Sequence, residues 1–447
     1  MLRRSAISLV FLFVALAAQA RTRPHYGGTL RVEIEGDPWQ RPGGMARRLV
    51  FDGLTRAHRD GTTSPALAIR WWSENDNHRW QFWLRPGVHF SDGTALTSVN
   101  VAASLNASCA NDCPWTAVRA AGSSVVFTGD APMPALPSLL AADAYLISLN
   151  GANSETSSGG LIGTGAFQAA GFANSTLTLA ANETSWQGRP FVDTIQLRVH
   201  RSIQDQWLDL SVGRADIVEV PAEQLRAAQQ QHFLTITSPP VTLLALEVSD
   251  NGALSNPLLR ASMAAAIDRN ALSNVIFQKQ GEVTASLLPA GVSGYSFLFP
   301  PERDLNKALD LRGGLTPHPL NLAFQGGATM QLAAQRIALN LHEAGYTVQA
   351  QTGFPRGDLT LRTLTLEVRD PQPALESMLR SADAPALALD SSPTALFKVE
   401  RSFLEHKTLI PLLYLPRIFA FGGRVREMRV DGAGVPELAD VSLEDAP

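Results

Sequence analysis

An α/β protein of two or three domains is what the sequence predicts, on three observations. Short alternating strands are interleaved with helical stretches over most of the chain. The 447 residues exceed what one hydrophobic core serves. A Ser/Gly-rich stretch from Ser154 to Gly160 separates a compact antiparallel unit from the α/β region that follows it.

The chain opens with Arg3 and Arg4, an apolar run from Ile7 to Ala18, and the small-residue sequence Ala18-Gln19-Ala20. This predicts a signal peptide over 1–20, since about a dozen apolar residues are too few to span a bilayer. No cysteine follows the run, so a lipid anchor at the new N-terminus is not expected, and the protein is expected to be periplasmic. Removal of the leader leaves about 427 residues, still more than one core serves. With 37 Lys and Arg against 41 Asp and Glu, the formal charge of −4 supplies no basic field for nucleic acid or anionic lipid. The two cysteines, Cys109 and Cys113, stand four apart; in an exported chain such a pair predicts a local disulfide. Free thiols and half of a zinc site are the alternatives, the latter needing two further ligands that nothing nearby supplies.

From Gly28 to Glu35, Leu30, Val32 and Ile34 alternate with polar neighbours, predicting a strand with one buried face. Asp37-Pro38 ends it, and Met45 to Leu54 reads as the helix that follows. Trp80 to Arg85 alternates again, and Asp60-Gly61, Pro86-Gly87 and Asp92-Gly93 are turn dipeptides around it, so this region is a small antiparallel unit feeding a helix from about Thr97. Ala121 to Ser138 reads as strand and loop. Ala166 to Phe172, Thr176 to Ala181 and Thr194 to His200 follow as strands, then a helix over Ile203 to Val212, a strand at Asp216 to Val218 and a helix over Glu223 to Gln230. A second α/β block from about Val241 has helices at Pro257 to Ile267, Asn270 to Phe277 and Met330 to Ala344, and a strand at Leu320 to Phe324. In the long helix, Leu332, Ile337, Leu339 and Leu341 are the expected buried face, with Gly345 at the C-cap. Ile410 to Ala420 is an apolar strand.

The parts of a secreted hydrolase are missing. No Gly-x-Ser-x-Gly elbow occurs, and the nine histidines include no His-Glu-x-x-His or other metal-ligand spacing. Asp205 and Asp209 share a predicted helix face, where such pairs are usually solvated. The glycines at 313–314 and 326–327 lack the Lys-Ser/Thr pair of a phosphate-binding loop. No catalytic residue, metal or cofactor is expected.

An ordered series of short stretches resembles the family 5 extracellular solute-binding proteins, the oligopeptide, dipeptide and nickel receptors of ABC transporters. It comprises Gly27 to Leu30, Asp37-Pro38, Val50 to Arg56, Pro65 to Ala68, Trp80 to Gly93, Gly163 to Phe167, Trp186 to Pro190, Gly213 to Ile217, Leu259 to Arg269, Leu288-Pro289 and Ile410 to Tyr414. The resemblance implies a two-lobed periplasmic-binding-protein fold of the large three-domain (cluster C) type. One lobe would be 27–56 with 160–240 and 411–445, carrying an inserted subdomain at 57–159; the other would be 241–410. It further implies a receptor, expected to be monomeric, that closes on a short peptide or similar small solute and delivers it to a cognate ABC permease in the inner membrane. Nickel-binding, sugar-binding and signalling receptors share the fold.

In the peptide receptors of this family an acidic residue meets the ligand's amino group shortly before an Asp-Pro-like turn. Leu364 to Pro371 matches that stretch and puts Glu367 at the acidic position, with Leu364 where the family usually has Trp. Glu35, at the end of the first strand, and Tyr414, on the late apolar strand, are further ligand candidates. Asp370 is the fourth, its alternative role being to set the turn before Pro371. Between Glu376 and Phe397 the chain is shorter than the family pattern, which predicts a smaller or more open pocket.

Overall fold

In the computed structural model of the protein, residues 25–40, 43–108, 113–149, 161–295, 297–315, 317–354, 356–384 and 389–444 are described. The predicted leader, Cys109 and the Ser154–Gly160 stretch lie outside them. Cys113 is disulfide-bonded.

An 11-stranded sheet forms the backbone of the molecule. From edge to edge its strands are Val348–Thr352, Leu320–Phe324, Leu359–Thr365, Leu234–Val248, Leu409–Phe421, Ile217–Glu219, Thr29–Glu33, Thr194–Arg198, Thr176–Ala181 and Phe167–Ala173, with Glu282–Val283 added beside Leu409–Phe421. Each wing contains parallel pairs: Thr29–Glu33 with its two neighbours, and Leu320–Phe324 with its two. The centre is antiparallel and consists of the two longest strands, Leu234–Val248 and Leu409–Phe421, whose register slips on both sides of Pro240. Proline cannot donate to a ladder, so it is accommodated at such an irregularity.

Period-two alternation on these strands supplies two cores at once. Val241, Leu243 and Ala245 face one apolar cluster, while Leu244, Leu246 and Val248 face another. Strand Leu359–Thr365 follows the same logic, with Leu359 and Leu361 on one side and Leu364 on the other. A third cluster, around Leu30, Val32, Ile195 and Leu197, packs the first wing.

A separate four-stranded antiparallel sheet holds Ala68–Glu74, Arg79–Leu84, Ser124–Thr128 and Ala117–Ala121, backed by helix Ser98–Ser108. Phe82, Phe127 and Trp115 stack edge to face in its core. That core continues without a break into Leu366, Leu375, Met378 and Leu379 of the second half of the chain.

Several sequence expectations need correction. The first helix ends at Val50 rather than Leu54, because Phe51 is extended and the following residues enter a tight joint. There a Cβ on Gly163 would stand 2.0 Å from the Val50 carbonyl oxygen and one on Gly165 2.3 Å from that of Leu49, so only glycine permits the approach. Asp52 ties the joint by accepting from the Thr164 hydroxyl, Trp186 Nε1 and Gln187 Nε2 at 2.9, 2.9 and 3.0 Å. The stretch expected to be helical from Asn270 is one α turn, Arg269–Ala271, followed by a π turn, Leu272–Ile276. Leu332 and Leu339 are exposed; the buried stripe of helix Ala328–Glu343 keeps the expected Ile337 and Leu341 and is completed by Ala333, Ala334 and Asn340. The region 121–138 holds a single helical turn, Leu136–Leu139, in addition to its strand.

Candidate ligand cleft

Parallel strands of both wings end at one cavity of about 380 Å³. Glu35 follows Thr29–Glu33 and Glu219 closes the neighbouring parallel strand, while across the gap Gly327 follows Leu320–Phe324 and begins helix Ala328–Glu343. Crevices at the carboxyl ends of parallel strands are where α/β sheets present ligand sites, since the strands deliver loops there that have no ladder to complete. Leu415 to Ile418 of the central strand form the remaining wall.

The charges in this cleft are few. Glu219 accepts Arg417 Nη2 at 3.0 Å and the Glu35 backbone N–H at 3.3 Å. The Glu35 carboxylate keeps solvent contact at the cleft mouth and has no ion pair among the described residues. Atoms crowding it, and then the charge of Glu219, raise its pKa above the ordinary value. A Cβ on Gly327 would lie 3.6 Å from its Oε1, so Glu35 reaches across to the second wing.

Glu367 belongs to a different constellation. It is half-buried, beyond the end of strand Leu359–Thr365, and its Oε2 accepts the Asp143 backbone N–H at 2.9 Å. Asp143, itself buried, forms an ion pair with Arg48 Nε at 2.8 Å and accepts the Gly43 N–H at 2.8 Å. Arg48 also reaches Asp431 at 3.4 Å, and Asp431 accepts the Ala433 and Val435 amides. One charged knot thus fastens the first helix, the Asp143–Tyr145 turn, the 366–370 loop and the C-terminal loop.

Burial, and then the Asp143 charge, push Glu367 up to about 7. The folded value exceeds that of the unfolded chain, so the fold favours the protonated form. Its contribution is complete below the ordinary carboxylate range and is lost as pH rises through about 7. Urea unfolding of the protein is therefore expected to lose about 2 kcal/mol between mildly acid and mildly alkaline pH. Glu367→Gln should flatten that part of the curve; an unchanged slope would remove Glu367 as its source.

The other two candidates lie apart from the cavity. Asp370 occupies the N-cap position of helix Pro371–Ser381, where it makes no side-chain cap hydrogen bond. Tyr414 is 1% exposed and its hydroxyl donates to the Leu287 carbonyl. Of the four residues, only Glu35 lines the cleft cavity. Arg417 and Glu219 were not anticipated, although Glu219 directly follows the strand expected at Asp216 to Val218, which runs parallel to the strand that leads to Glu35. Among the described residues no group of three or more His, Cys, Asp and Glu is placed to hold a metal ion. No helix among them is long and apolar enough to cross a membrane.

Residues 62–381 match the family model of the bacterial extracellular solute-binding proteins, family 5 Middle. Two curated relatives match over short stretches. The HTH-type transcriptional regulator SgrR of Photorhabdus laumondii is 37% identical over 73 residues, which is 16% of this chain and 13% of that protein. The peptide transport periplasmic protein SapA of Salmonella typhimurium is 27% identical over 139 residues, 30% of this chain and 25% of that one. The whole fold is shared with the ABC transporter-associated periplasmic binding protein DppA from Helicobacter pylori, solved in complex with the peptide STSA. Its TM-score is 0.80 at 17% identity, over 94% of this chain and 99% of that one.

Proposed function

Because this chain belongs to the bacterial extracellular solute-binding proteins, family 5, we propose that it is the periplasmic receptor of an ABC importer and captures a short peptide, amino end against Glu35, between two lobes. We assign the lobes as 27–56 with 160–240 and 411–445, carrying the inserted unit 57–159, and 241–410. The carboxylates at the cleft mouth are the observation that carries the peptide reading. Glu35 has no ion pair among the described residues and stands beside Glu219, so an arriving ammonium offsets their repulsion as well as pairing with Glu35. Cavity walls from both wings mean that a ligand touching Glu35 on one side and the 327–330 turn on the other favours the closed arrangement over an open one.

The size of the cavity favours a small ligand. Near Glu367 the space between the inserted unit and the second half is filled by Leu375, Met378 and Leu379, which pack with Leu140 and Tyr145 in one continuous cluster. This supports the Glu35 side of the interface as the binding side and Glu367 as part of the contact that closes it. SapA, a peptide transport periplasmic protein, and DppA, solved with a bound peptide, favour the same ligand class.

A thermal-shift screen of the purified protein against di- to pentapeptides and their Nα-acetylated forms tests this. A cognate peptide at a hundredfold excess over its Kd should stabilise the protein by about 2.7 kcal/mol. The acetylated form should give no shift, and Glu35→Gln should lose the response while Glu367→Gln keeps it. Equal shifts with free and acetylated peptides would remove Glu35 as the amine partner. Shifts only with sugars or nickel complexes would retain the receptor and discard the peptide.

A further inference from the structure

A second cavity, of about 420 Å³, lies wholly within 241–410 apart from Pro411 and shares no lining residue with the cleft. Its walls carry Arg269, Lys307, Lys407 and Phe299. Arg269 is 4% exposed, yet no carboxylate pairs with it among the described residues. Its Nε donates to the Pro411 carbonyl at 2.9 Å and its Nη1 to those of Ala264 and Pro301 at 3.3 Å each, which leaves Nη2 without a hydrogen bond among the described residues. A buried guanidinium is normally paired with an acid, because carbonyl dipoles offset only part of its lost hydration.

The neighbouring charges add to the imbalance. Lys407 Nζ sits 3.2 Å from the Phe299 ring centroid, and Arg401 approaches the same ring at 5.4 Å. Neither Lys407 nor Lys307 has an ion pair among the described residues, and Arg303 is paired with Glu343. Asp304 is committed to capping helix Leu305–Arg312, accepting the Lys307 N–H at 2.9 Å. Glu302 is the acid left to face Arg269, and Glu405 is the one that acts on Lys407. Lys407 also holds a left-handed backbone, φ 54°, just past helix Pro393–Glu405, a position where glycine or asparagine costs less.

We propose that this cavity binds a small organic anion, its carboxylate or phosphate head held between Arg269 and Lys407 and its apolar part against Phe299 and Leu404. Desolvation, and then the Arg269 charge, lower Lys407 to about 8, and burial lowers Arg269 to about 10; a bound oxyanion relieves both. The binding is independent of the Glu35 cleft and of the peptide reading.

Isothermal titration calorimetry at constant ionic strength, with inorganic phosphate, sulfate and hexanoate as probes and chloride as the reference anion, tests the site. Saturable one-to-one binding of at least one oxyanion is expected. Lys407→Gln, a change at a partly exposed position, should weaken it by about tenfold, which corresponds to about 1.4 kcal/mol. Glu35→Gln should leave it unchanged. Binding should also weaken as pH rises past the Lys407 range in the wild type and not in the Gln variant. Absence of saturable heat with all three probes, or equal binding by Lys407→Gln, overturns the proposal; loss of peptide shifts in the Glu35 variant bears only on the cleft.

Discussion

Arg48→Met is expected to lower the unfolding free energy by about 3 kcal/mol near neutral pH, because it removes a cation shared by buried carboxylates. Arg48 contacts Asp143 and Asp431 directly and acts electrostatically on Glu367. Methionine fills much of the volume, so the loss isolates the charge. Burial, opposed by Arg48, already raises Asp431 above its ordinary value, and losing the guanidinium pushes it further. The deficit should shrink as pH falls and these carboxylates take up protons, since a raised folded-state pKa makes protonation stabilising. Urea denaturation at acid and neutral pH checks both statements, and a loss that does not change with pH would mean that packing, not charge, is what Arg48 supplies.

Glu400→Ala should be at least as damaging, by about 3–5 kcal/mol. Glu400 is fully buried in helix Pro393–Glu405 and accepts the amides of Leu287 and Leu288 at 2.6 and 3.2 Å. It also receives the Tyr295 hydroxyl, while the Leu287 carbonyl receives that of Tyr414. One carboxylate therefore satisfies two loop amides and the Tyr295 hydroxyl, and alanine leaves those three donors without partners in a dry site, while Tyr414 keeps its Leu287 acceptor. Glu400→Gln keeps an acceptor and the side-chain shape, so its cost should be about a third as large. Thermal unfolding of the two variants side by side decides this; equal losses would point to the carboxylate charge rather than to its acceptor geometry.

Local pattern carried the sequence reading a long way and then stopped at long-range charge. Alternation along Gly28 to Glu35 and along Thr194 to His200 is set by one buried face per strand, and both strands form beside one another. The glycines at 163 and 165 entered the sequence reading only as part of the family resemblance, whereas the structure uses them to let two backbones touch. The helix at 328–343 was legible, with Ile337 and Leu341 on its buried face as expected, but Leu332 and Leu339 are exposed because the leucines at 332, 339 and 341 are compatible with more than one apolar stripe. Arg48, Asp143, Glu367 and Asp431 look individually like surface charges; they lie far apart along the chain, Asp143 and Glu367 by 224 residues, and only the tertiary path unites them. Glu400 sits in an amphipathic helix where nothing local distinguishes it from its solvated neighbours. Glu35 was found because it ends a strand, a position the sequence does mark.

Placement of Leu409–Phe421 in the middle of the large sheet has a consequence for how the chain is made. Its neighbours on either side, Leu234–Val248 and Ile217–Glu219, are synthesised some 160 residues or more earlier and present open edges until it arrives. A nascent chain therefore cannot lock its central sheet before residues 409–421 have been made, and that one strand acts as the keystone. Pairings of such large sequence separation slow folding and prolong the interval in which the two flanking strand edges stand open.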